Sequence, residues 1–132
     1  MVSPTEGDPY MTVFDPSTLL QLVDDPRDRP FVHELASTFR RMLPARVGRV
    51  VSAVVASDVE EAMDAVLSLR VSSTMTGATE LAELATFLEA DLRHRDLPSA
   101  RSQALLLPAV AQRAEAAIGA YLARAAHPGI PV

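Results

Sequence analysis

The sequence predicts an all-α chain, a bundle of long helices with a short extra N-terminal helix. Three observations carry this expectation. Apolar residues fill 48% of the 132 positions, yet aromatics reach only 5% and Trp is absent, a composition suited to helices packed through Ala, Leu and Val. Apolar residues recur at steps of three and four through most of the chain, the spacing that lines one side of a helix. Proline, glycine and capping residues interrupt that period at intervals of helix length. One domain is expected over 15–127, with tails at 1–14 and 128–132; the length suffices for a single core.

Residues 1–14 carry Pro4, Gly7 and Pro9 without any period, so a loose tail is expected, with Tyr10 and Phe14 available to pin it. Asp15-Pro16-Ser17 opens a short helix, Asp capping free N–H groups and Pro at the first helical position. Leu19, Leu20, Leu22 and Val23 are its apolar residues, and Asp25-Pro26 ends it. A second start lies at Asp28 to Pro30. From there Phe31, Leu35, Phe39, Leu43, Val47, Val50, Val51 and Val54 keep a period of three to four through a long helix that needs partners on more than one side, bent where Pro44 removes a backbone hydrogen bond.

Ser57-Asp58-Val59-Glu60 reads as a capping box with Ser57 as the cap. The helix it opens should run to about Met75, burying Val59, Ala62, Val66, Leu69 and Ser73. Thr76 is expected to cap the next helix, starting at Gly77 or Ala78, burying Leu81, Leu84, Ala85 and Leu88, and ending near Arg93. A turn over 95–97 leads to a last helix over 99–126, bent or split at Pro108 and stopped by His127-Pro128-Gly129. On the helix after Ser57, a second stripe of Met63, Leu67, Arg70, Val71 and Thr74 lies about 100° round from the buried line.

The run Ser57 to Glu89 resembles the histidine-containing phosphotransfer (HPt) domain. That family's signature is a G-D-x-E helix start, A-H-x-L-K-G-S-S, a short gap, G-A, and a leucine-spaced helix ending L-E. Asp58 and Glu60 match the start; Leu69, Ser72 and Ser73 match the centre; Gly77-Ala78 match the break. Leu81, Leu88 and Glu89 match the second helix, and Arg70 stands where the family usually has lysine. Phe31 to Val47 is similar to the family's preceding helix. The resemblance spans about residues 15–125, its specific part being 57–89.

Two departures decide what the resemblance implies. The phosphoacceptor histidine falls on Leu67, and the family's glycine four residues later is Val71. A leucine has no lone pair and can neither attack nor carry a phosphoryl group. The resemblance implies the family's fold, an antiparallel up-down four-helix bundle, here with a short extra N-terminal helix, and a docking face without the chemistry: a pseudo-phosphotransfer module, not an enzyme. It would bind a response-regulator receiver domain or a histidine kinase through Met63, Leu67, Arg70, Val71 and Thr74. Val71 fills the space that glycine leaves open, and Arg70 would be the remaining cation beside a carboxylate-rich pocket. Alternatives are a self-associating structural bundle, with the stripe as a homodimer interface, and an active phosphotransfer protein using an unaligned histidine.

The other polar residues carry no stronger reading. His33, His94 and His127 lack the family pattern and metal-ligand spacing, and His94 between two arginines suits a helix C-terminus. Ser68, Ser72 and Ser73 have no neighbouring base or elbow motif. Asp58, Glu60, Glu61 and Asp64 complement the helix dipole. No cofactor or metal is expected. A net charge of −5, all twelve basic residues being Arg, gives no reason to expect nucleic acid or an acidic membrane surface. Without Cys, thiol chemistry is excluded. No apolar run of membrane-spanning length and no signal-peptide pattern is present, so a cytoplasmic location is expected.

Overall fold

The computed structural model describes residues 13–125; the expectations for 1–12 and 126–132, with Tyr10 and His127, lie outside them. The chain is all-helical, without strands among the described residues. Five α-helices lie wholly within them: α1 (Pro16–Leu20), α2 (Arg29–Val55), α3 (Val59–Thr76), α4 (Thr79–Arg93) and α5 (Leu97–Ala125), with a 3₁₀ turn at Pro26–Asp28. Of these, α2 packs on α3 and α5, and α4 packs on the same two, so the four long helices close a ring with α1 laid on α2 and α3. None is long and apolar enough to cross a membrane.

Local chemistry explains most boundaries. Asp15 caps α1 by accepting from the Ser17 N–H at 3.0 Å, with Pro16 at the first helical position. The three turns between long helices share one device, a left-handed residue that lets two later amides satisfy the last carbonyls. Those residues are Ser57 (φ 57°), Gly77 (φ 91°) and Arg95 (φ 57°). After each, the next amide reaches back five residues: Asp58 to Ala53, Ala78 to Ser73, Asp96 to Asp91. Ser57 is therefore the end of α2 rather than the cap of α3. Asp58 is the cap, accepting from the Glu61 N–H at 3.2 Å.

Thr76 does not cap α4. Its hydroxyl donates to the Ser72 carbonyl within α3, a competing bond that Ser and Thr make readily inside helices. The last helix starts two residues earlier than expected because Asp96, capping the Ser99 N–H at 3.2 Å, leaves Pro98 a place in the first turn where no amide is needed. Pro44 and Pro108 both sit at exposed positions, and neither interrupts its helix.

The core lines of α3 and α4 are as expected from their spacing, except that Val59 is only half-buried. On α2 the inner line is Val32, Ala36, Phe39, Leu43, Val47, Val50 and Val54, while Phe31 and Leu35 face outward at 57% and 37% exposure. At about 100° per residue Leu35 and Phe31 fall roughly 40° and 80° to one side of Phe39, while Val32, Ala36, Leu43 and Val47 all fall to the other side, toward which the buried face is centred. Phe14 is buried, its ring edge-on to Tyr121 at 5.6 Å.

Candidate protein-docking face on α3

Asp58 and the left-handed Gly77 bracket α3, and packing of Ala62, Ala65, Val66, Leu69 and Ser73 inward determines which residues remain outside. The five residues of the expected stripe do not share one environment. Met63 is half-buried and packs against the core. Leu67 is half-buried, and Val71 and Thr74 are exposed, Val71 at 48%. Leu67 is thus neither part of the sealed core nor fully in solvent. With Val71, one turn on, and Met75, 55% exposed, it forms an apolar strip along the surface of the helix.

Arg70 departs most from expectation, because it already has a carboxylate. Its Nε donates to Glu89 on α4 at 2.7 Å, while the other Glu89 oxygen accepts from Arg93. Glu89 is 8% exposed, so this is a nearly buried acid held between two partly exposed guanidinium groups, which offsets its desolvation. The network ties α3 to α4 and leaves about a third of the Arg70 side chain open to solvent. Sequence reasoning missed it. Only Glu89 and Arg93, four apart on one helix, carried a visible signal.

The hydroxyls around the strip turn inward. Ser72 donates to the Ser68 carbonyl at 2.8 Å and Thr74 to the Arg70 carbonyl at 2.8 Å, so neither is poised as a nucleophile beside a base. Neither described histidine is on α3. His33 meets Tyr121 edge-on at 5.8 Å, and His94 Nδ1 lies 2.8 Å from the Ala90 carbonyl at the end of α4. Among the described residues, no cluster of three or more His, Asp or Glu is placed to hold a metal ion.

Two surface ion pairs tie neighbouring helices of the ring together. Arg49 of α2 donates to Glu61 of α3 through Nε at 3.2 Å and Nη2 at 2.6 Å. That pairing holds the Glu61 carboxyl below the usual carboxylate range and raises Arg49. Arg113 of α5 grips Glu80 of α4 with two bonds of 2.9 Å, which raises the arginine.

Beside the strip, Met75, Leu22, Leu35, Phe39 and Met42 line a groove of about 180 Å³ between α1, α2 and α3. The outward turn of Leu35 creates one wall of it, and nothing in the local sequence announced it. No protein-family model, curated protein or solved structure matches this chain.

Proposed function

We propose that the chain is an HPt-like antiparallel up-down four-helix bundle with a short extra N-terminal helix, serving as a pseudo-phosphotransfer module. It binds a response-regulator receiver domain or a histidine kinase in a two-component-type pathway, without accepting phosphate. The observation that carries this reading is the hydrocarbon at Leu67, on the surface strip of α3 with Val71 exposed beside it. A leucine at that position recognises without reacting, because it offers no lone pair to a phosphoryl group. Exposed apolar strips of this kind are a common mark of protein contact.

The partner meets Met63, Leu67, Val71 and Thr74 along α3, with Arg70 at the edge. Because Arg70 is already bound to Glu89, it lends directionality at the rim rather than a free cation. The test is titration of receiver domains, phosphorylated and not, against the purified chain by calorimetry. Binding that weakens at least ten-fold in Leu67→Glu, with no acid-labile phosphate on the chain, is expected. Stoichiometric phosphate on His33 or His94, or binding indifferent to Leu67→Glu, overturns the reading.

A further inference from the structure

Away from α3, where α4 packs against α5, the surface dips into a pocket of about 510 Å³. Leu84 and Phe87 of α4 line one side of it, Leu106 and Val110 of α5 the other. Leu84 and Val110 are buried, while Phe87 and Leu106 are each 53% exposed, so the apolar lining runs from the core out to solvent. At one end Glu80 and Arg113 engage each other through two bonds, and Phe87 stands two turns of α4 away. The remaining polar lining residues are Gln103, half-buried on α5, and Glu83 on α4. Glu83 is exposed and takes part in no ion pair among the described residues.

We infer that this pocket receives a basic amphipathic helix of a partner protein, with apolar anchors at i, i+4 and i+7 and a Lys or Arg set toward Glu83. The length fits. Glu80 to Phe87 spans about 10 Å of α4, and the same rise separates the first and last anchors of a guest helix. The volume fits as well. A cavity of about 150 Å³ accepts a benzene ring, so about 510 Å³ takes roughly three large side chains, one for each anchor. The lining selects a helix over an extended strand. A strand brings a row of backbone N–H and C=O groups, each costly to bury unpaired, and these apolar walls offer them only Gln103 and Glu83 outside the closed ion pair. A helix satisfies its backbone internally and presents side chains alone. Charge sets the sign of the guest. Glu83 is the uncompensated charge of the pocket, and the whole chain carries −5, so a basic helix is attracted and an acidic one repelled. This inference does not rest on the proposed signalling role, since α3 contributes no residue to the pocket.

The test selects phage-displayed random peptides of about 16 residues, roughly four helical turns, on the full-length chain, then titrates the enriched ones by calorimetry. One class should carry apolar residues at i, i+4 and i+7 with flanking Lys or Arg, and should gain helical circular dichroism on binding. That class should bind about ten-fold more weakly to Phe87→Glu and to Leu106→Glu, and about five-fold more weakly to Glu83→Lys. Leu105→Glu should leave its binding unchanged, because Leu105 is 74% exposed and does not line the pocket. The inference is overturned if no enriched peptide senses Phe87→Glu or Leu106→Glu, whichever keeps the helical circular dichroism of the parent. It is also overturned if the peptides that sense them are acidic or bind without gaining helix. A parent chain that self-associates in sedimentation, and is split by Phe87→Glu, overturns it too, since a second copy would then be the occupant.

Discussion

Replacing Gly77 by Ala tests how the N-terminal segment is held to the bundle. Gly77 has φ of 91°, and a Cβ there would drive into the Asp15 carbonyl oxygen and stand 3.1 Å from the Thr18 Cβ. The same glycine accepts a backbone bond from the Asp15 N–H at 2.8 Å. The left-handed conformation alone costs an L-residue about 1–2 kcal/mol. Pushing Asp15 away to relieve the contact forfeits a hydrogen bond worth about 1 kcal/mol. A loss of about 3 kcal/mol is therefore expected. It grows if Phe14 and Leu19, both buried, come off with the segment, since each apolar side chain contributes about 1.5–3 kcal/mol.

Urea unfolding followed by circular dichroism measures the loss, and amide exchange shows where it falls, with protection at Leu19 to Leu22 collapsing before that of α3. Gly48→Ala is the control. Nothing lies within 4 Å of a Cβ at Gly48, a helical position, so alanine should stabilise by about 1 kcal/mol. A Gly77→Ala variant within 1 kcal/mol of the parent would show that the turn does not depend on close approach of Asp15, and the reasoning would fail.

Two further outcomes follow from groups that the fold isolates or pairs. Ser73 is fully buried and its hydroxyl has no partner among the described residues, so Ser73→Ala should raise stability by about 1 kcal/mol in urea; a loss of similar size would mean that the hydroxyl has a partner. Glu61 titrates below its ordinary range because Arg49 binds its ionised form. Its folded pKa being the depressed one, its contribution is complete above the unfolded value and disappears as pH falls through the folded value. Between neutral and strongly acid pH, Glu61→Gln should therefore lose less stability than the parent, and parallel acid-denaturation curves would refute the pairing.

Much of this protein was legible from residue order alone, wherever the governing interaction is local. Asp15-Pro16 starting a helix and the inner lines of α3 and α4 depend on neighbours within about a turn, and those appear in the sequence directly. The absence of any histidine along α3 is equally a fact of sequence. Packing decided the rest. Whether Phe31 or Val32 faces inward depends on how α2 rolls against α3 and α5, since both residues are apolar and one step apart. Ser57 became the end of one helix rather than the cap of the next because its backbone entered the left-handed region at the turn. The Arg70–Glu89 bond joins residues 19 apart in sequence, and the groove beside Met75 exists only once α1, α2 and α3 have packed. Side-chain chemistry is written residue by residue, but which groups meet is determined by helices finding one another in space.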